Sequence, residues 1–133
     1  MRVLLDTHCW LWLVSEPERL PAALVETLQD PTSKPLLSTV SVWELAIKRS
    51  IGRIELPAPV DPWVPEVMAT SGVLPLEVHL AHVLRVSRLP LHHRDPFDRL
   101  LVAQALEERV PLVTADRQLE GYGAEILWAG PSS

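Results

Sequence analysis

Arg2-Val-Leu-Leu-Asp6 decides how the rest of the chain is read. Three apolar residues in a row, with no polar alternation, belong to a strand covered on both faces, as in parallel sheets. The run ends on a carboxylate. Working outward, the same design recurs. Pro35-Leu-Leu-Ser-Thr39 is a second short strand, followed by a helix that opens at Ser41-Val-Trp-Glu44 and stops at Gly52. Pro111-Leu-Val-Thr114 is another strand, followed by Asp116 and a short helix. Helical patterns fill the intervals. One runs through Trp12 and Val14 and stops before Pro17, and Leu20, Leu24 and Leu28 share a face between Pro21 and Asp30. Asp61-Pro62 is a cap followed by proline, and Gly72 ends that helix. A small strand is expected over Val73–Leu76 and a helix over Glu77–Arg88. Asp95-Pro96 starts a strongly periodic helix to Arg109, and Glu125–Ala129 is the last strand. Strands that alternate with helices favour an α/β fold with a central parallel sheet covered on both faces. In such sheets ligands bind beyond the carboxyl ends of the strands.

Composition bounds the function. At 133 residues the chain suits one domain, expected over 1–130 with a C-terminal tail at 131–133. The 47% hydrophobic and 22% charged content argues against wholesale disorder. No apolar run approaches the ~18 residues needed to span a bilayer, and Asp6 interrupts any leader-like stretch. A single cysteine cannot form an internal disulfide, which fits a reducing cytoplasm. The net charge of -5 excludes a protein that grips nucleic acid by basic charge alone. Nucleic acid remains open as a substrate if metal ions supply the positive charge.

The placement of four acids carries the chemistry. Asp6 ends the first strand, Glu44 lies just past the second, Asp98 sits in the first turn of the long helix, and Asp116 follows the strand ending at Thr114. In a parallel sheet those positions meet at one edge. Capping is the plainer account for each alone. Ser41-x-x-Glu44 has the spacing of a capping box, Asp95-x-x-Asp98 resembles one, and Asp6 and Asp116 precede helices. For all four together that account weakens. Two carboxylates about 5 Å apart repel by roughly 3 kcal/mol at an effective dielectric of 20. Clustered hard oxygen ligands suit Mg²⁺ or Mn²⁺.

Leu5-Asp6-Thr7-His8, Ser38 to Lys48, Gly52 to Pro57, His93 to Ala105 and Leu112 to Asp116 together resemble the PIN-domain ribonucleases. More narrowly, they resemble VapC-type toxins of bacterial toxin–antitoxin pairs. Each piece alone is weak; the ordered set spans nearly the whole chain. The resemblance implies a three-layer α/β/α fold and a divalent-metal-dependent endoribonuclease that cuts single-stranded RNA regions. Metal-activated water would leave 5′-phosphate and 3′-hydroxyl ends. Residue by residue, Asp6, Glu44, Asp98 and Asp116 fall on the acidic positions as both catalytic and metal-holding groups, and Thr114 on a hydroxyl position beside the fourth. Asp95 is either an auxiliary acid or an N-cap. The resemblance also implies an antitoxin protein that covers the acidic edge, and a homodimer.

Other readings compete. A catalytically inactive PIN-like domain that binds RNA or protein would carry the same acids. A phospho-receiver is a poor fit, since one acid follows the first strand and no Lys follows Pro111. His8, His92 and His93 could support metal-free acid–base cleavage, though the His92-His93 pair suits a polar loop ahead of the helix cap. His79 and His82 are expected at the surface or partly packed, and Cys9 buried as a small hydrophobe. Lys48, Arg49 and Arg53, with Arg85, Arg88, Arg94 and Arg99, form either a solvated charged face or a guide for RNA phosphates. Trp10, Trp12, Trp43 and Trp63 offer apolar area to the core or to an interface.

Overall fold

A computed structural model describes residues 1–131, so residues 132 and 133 of the expected tail lie outside the described residues. Five parallel strands run in the order β3-β2-β1-β4-β5. They are β1 (Arg2–Leu5), β2 (Lys34–Ser38), β3 (Leu74–Leu76), β4 (Leu112–Thr114) and β5 (Ile126–Trp128). The helices are α1 (Thr7–Ser15), α2 (Ala22–Gln29), α3 (Thr39–Ser50), α4 (Val60–Ser71), α5 (Leu80–Val86) and α6 (Pro96–Glu108). One-turn 3₁₀ segments follow α1 and β4 at Pro17–Arg19 and Arg117–Leu119.

The side-chain alternation of β1 explains the three layers. Val3 and Leu5 face one way and pack with Trp10, Leu28, Leu45 and Val64. Leu4 faces the other way and packs with Leu36, Leu101, Val102 and Leu112. Val3, Leu4 and Leu5 are all fully buried, as an uninterrupted apolar run in a strand requires. Trp10 is the largest fully buried side chain and meets Trp63 of α4 edge-on at 5.7 Å. Truncating it to Ala would cost about 3–5 kcal/mol.

Strand order also sets where a site can form. The chain steps from β1 outward to β2 and β3, then returns to the other side of β1 with β4 and β5. The order therefore reverses between β1 and β4, and a crevice opens there at the carboxyl ends of the strands. Leu4 pairs with Leu36 on one side and Leu112 on the other. Asp6 continues the β1 ladder by giving its backbone N–H to Val113 at 2.9 Å.

Several local expectations need correction. Ser41 does not cap a helix. Ser38 does, its Oγ accepting from the Val40 N–H at 3.1 Å, so α3 begins two residues before Ser41 and Glu44 lies in its second turn. α4 starts at Val60, with Asp61 inside the first turn, and Gly72 ends it in the left-handed region at φ 72°. α5 is shorter than the pattern over 77–88. His82 folds back so that its Nδ1 accepts from the His79 N–H at 2.9 Å, which fixes the helix start. His82 is fully buried rather than at the surface, because Glu108 meets its Nε2 at 2.9 Å. Asp95-Pro96 opens α6 as expected, the Asp95 Oδ1 accepting from Phe97 and Asp98 N–H groups.

Candidate active site

Asp6, Glu44, Asp98 and Asp116 line one cleft of about 440 Å³, together with His8, Trp12, Lys48 and Asp95. The four come from the end of β1, the second turn of α3, the first turn of α6 and the loop after β4. Each is held there by a different local device, and capping is not the common one. Asp6 stands at the cap position of α1, yet its carboxylate makes no capping hydrogen bond. It instead accepts from the Thr114 hydroxyl at 2.7 Å. That hydroxyl in turn accepts the Asp116 N–H at 3.1 Å, so one buried oxygen orders both the first and the fourth acid. Asp95 caps α6, which leaves Asp98 free of that duty. Only Asp116 divides its work. Its Oδ1 accepts from the Gln118 N–H at 2.9 Å, while its Oδ2 lies 3.7 Å from the His93 ring.

Glu44 is almost fully buried and has two supports. Lys48, one turn on, donates to its Oε2 at 2.6 Å. The Thr7 hydroxyl lies 2.8 Å from its Oε1 and 2.8 Å from the Ser41 hydroxyl. A hydroxyl has one proton to give, so Thr7 donates to the carboxylate and accepts from Ser41. The serine expected as a cap is thus the far end of a relay that holds Glu44.

Burial and mutual repulsion work against ionisation. Asp98 is pushed up to about 7, by removal from water first and by the nearby Asp6 charge second; the hydrogen bond from His93 acts in the opposite direction. Asp6 is raised for the same leading reason, opposed by the Thr114 hydrogen bond. Such shifts mark a pocket that needs positive charge to hold its carboxylates ionised. The donor set fits a hard divalent cation: carboxylate oxygens from separate elements, facing one cleft and short of counter-charge. The Cys9 thiol shares the cleft, but burial drives its pKa far above the usual thiol range, so it is no nucleophile.

His93 carries a signal that the sequence does not display. Its Nε2 lies 2.8 Å from Asp98 Oδ2, and one ligand atom from each of His93, Asp98 and Asp116 falls within a 4.8 Å group. The Tyr122 hydroxyl accepts the His93 N–H at 2.7 Å and fixes that loop against the core. The sequence offers His93 as an acid–base candidate and Lys48 as part of a basic group; their contacts with Asp98 and Glu44, and that of Thr7 with Glu44, are what spacing alone does not give. Three of the arginines around Asp98 have partners within the chain. Arg85 and Arg88 both pair with Glu107. Arg99 donates to the Pro90, Val86 and His93 carbonyls, so it braces the loop before α6.

Known proteins resemble this chain in sequence and in fold. The PIN domain matches residues 3–125. Ribonuclease VapC22 of Mycobacterium tuberculosis is 34% identical over 123 residues, covering 90% of this chain and 91% of the relative. Ribonuclease VapC16 of the same organism is 40% identical over 55 residues, 41% of this chain and 39% of that protein. Among solved structures, VapBC2 from Rickettsia felis bound to a promoter DNA fragment superposes with a TM-score of 0.74 at 12% identity, over 97% of this chain and 99% of that one. DNA-bound VapBC from Salmonella typhimurium gives 0.71 at 17% identity, over 96% and 97%.

Proposed function

Because this chain belongs to the PIN-domain family, we propose that it is a metal-dependent endoribonuclease, the toxin of a type II toxin–antitoxin pair. The observation that carries the reading is the delivery of four carboxylates from four separate elements to one cleft, only one of them engaged in capping. Asp6, Glu44, Asp98 and Asp116 hold Mg²⁺ or Mn²⁺, and the substrate is single-stranded RNA. When bound, the ions supply an activated water for attack on phosphorus and offset the charge of the phosphodiester.

The chain's own groups have defined tasks. Thr114 gives a hydrogen bond that favours the charged form of Asp6, and Thr7 gives one that orients Glu44. Lys48 fixes the rotamer of Glu44. Asp98 must lose its proton to serve as a ligand, so activity rises with pH through the neutral range. An antitoxin protein blocks the cleft, and the toxin acts in the cytoplasm. It does so as a homodimer, for which the exposed face of α5 at Leu80, Val83 and Leu84 offers apolar area.

The test is cleavage of defined single-stranded RNAs with Mg²⁺ or Mn²⁺, with chelator, and with Asp6→Asn. Internal cuts leaving 5′-phosphate ends are expected with metal only, and Asp6→Asn should lose them. Cutting that persists in chelator would assign the chemistry to histidines. A folded, metal-supplied protein that cuts nothing would leave a binding domain.

A further inference from the structure

Two clefts meet at α1. The acid cleft has His8, Trp12 and Lys48 in its wall, and the same three residues line a second cleft of about 460 Å³ that continues past Arg19 and Arg53. We propose that this second cleft seats the nucleotides flanking the cut on one side of a single-stranded RNA. The inference rests on the ribonuclease reading and adds the route by which the strand leaves the acids.

Charge argues for the route. A strand whose scissile phosphate lies among carboxylates needs cations for its next phosphates, since the net charge of -5 offers no general attraction. On the α5–α6 side Arg85 and Arg88 are committed to Glu107, and Arg99 to backbone carbonyls. Arg94 and Arg117 line neither cleft. Arg53 is exposed, has no carboxylate partner among the described residues, and lines the cleft that joins the acids. Arg19 shares that cleft, and its pairing with Glu16 at 3.3 Å is solvent-exposed on both sides, so a phosphate can compete for it.

Aromatic surface argues for a nucleic acid occupant. Trp12 is half-buried, with the Arg19 guanidinium 4.7 Å from its ring centroid and the His8 ring 6.4 Å away at 57°. An indole flanked by a guanidinium and an imidazole is a platform on which a base stacks without regard to its identity. Ile54 and Leu56 complete an apolar floor beside it. Bases thus meet Trp12 while phosphates meet Arg19 and Arg53, the division of labour used by single-strand binders.

The test uses the full chain. Cleavage and fluorescence-anisotropy binding of a single-stranded RNA are measured for the wild type, Arg53→Glu, Trp12→Leu, Trp12→Phe and Lys34→Glu, binding being read in an Asp98→Asn background. Lys34 starts β2 at the opposite end of the sheet and controls for a change of charge. Arg53→Glu should weaken binding about tenfold and flatten its salt dependence by about one unit of slope. Trp12→Leu should weaken binding about tenfold and Trp12→Phe should restore most of it. A 4-thiouridine placed beside the cut should crosslink to the peptide carrying Trp12. The proposal is overturned if Arg53→Glu and Lys34→Glu behave alike and crosslinks map elsewhere while the wild type still cuts RNA. It is also overturned if the variants keep RNA binding but lose capture by an inhibitory protein, which would give the groove to that partner. A wild type that cuts no RNA removes the ribonuclease reading itself, and this one with it.

Discussion

The Thr114 hydroxyl donates to the Asp6 carboxylate at 2.7 Å, joining two residues 108 positions apart in the chain. Through this bond β4 favours the ionised form of the acid that follows β1, against the burial that raises its pKa. Removing it in Thr114→Val leaves Asp6 buried with one fewer group favouring its ionised form, and takes away the acceptor of the Asp116 N–H. Stability should fall by about 1–3 kcal/mol. Divalent-ion affinity should fall by about 10–100-fold, as when a supporting partner of a metal ligand is lost. Thr114→Ser should recover both. Chemical denaturation and Mn²⁺ titration read the two effects, and a Thr114→Val protein with wild-type ion affinity would refute the role.

Asp98 links stability to pH. Its folded pKa of about 7 lies above the ordinary 3.8, so the native state holds a proton that the unfolded chain has already released. Between those values the folded form binds more protons, and stability falls as pH rises; above about 7 the loss levels off. In chelator, the melting temperature should therefore drop from pH 4 to pH 7 beyond what other groups contribute. Asp98→Asn should flatten that slope, melt higher at pH 7.5, and lose RNA cleavage. Added Mn²⁺ should raise the wild-type melting temperature at pH 7.5 and leave Asp98→Asn nearly unmoved. A slope unchanged by Asp98→Asn would contradict this assignment.

His93 separates the ion-free from the loaded protein. With its ring 2.8 Å from Asp98 and 3.7 Å from Asp116, it is the group that bridges those two carboxylates when no cation does. His93→Ala should lower the melting temperature more in chelator than in Mn²⁺. Equal drops in both conditions would show that the ring serves only the loop that Tyr122 anchors.

The Glu44 relay allows a simpler mutational check. Ser41→Ala removes the far hydroxyl, so Thr7 keeps its donation to Glu44 but loses its own donor. Thr7→Val removes the donation itself. Cleavage should fall modestly in the first and by about tenfold or more in the second. The reverse order would mean that Ser41, not Thr7, orients the carboxylate.

The parallel sheet and the convergence of acids were legible because both follow from short-range chemistry. An unbroken apolar strand announces burial on both faces, and an acid at its end announces the site edge; Val3, Leu4, Leu5 and Asp6 state this in four residues. Asp95-Pro96 likewise fixes the start of α6. The errors arose where a residue's role depends on a distant partner. Ser38 and Ser41 are both plausible caps by spacing, and only the path of β2 decides for Ser38. His82 gives no sign of burial until Glu108, 26 residues later, meets it. His93 stands beside another histidine in a polar loop, and its position against Asp98 and Asp116 exists only in three dimensions. Arg85, Arg88 and Arg99 are bound by acceptors on α6 and by backbone carbonyls that spacing does not reveal.

The central claim is that these four carboxylates form one divalent-cation site. Titration of the intact protein with Mn²⁺, following free ion by electron paramagnetic resonance, tests it most directly. The wild type should take up Mn²⁺ near neutral pH, and Glu44→Gln, folded by circular dichroism, should bind at least about tenfold more weakly. Equal uptake by the two proteins, or none by the wild type, would contradict the account.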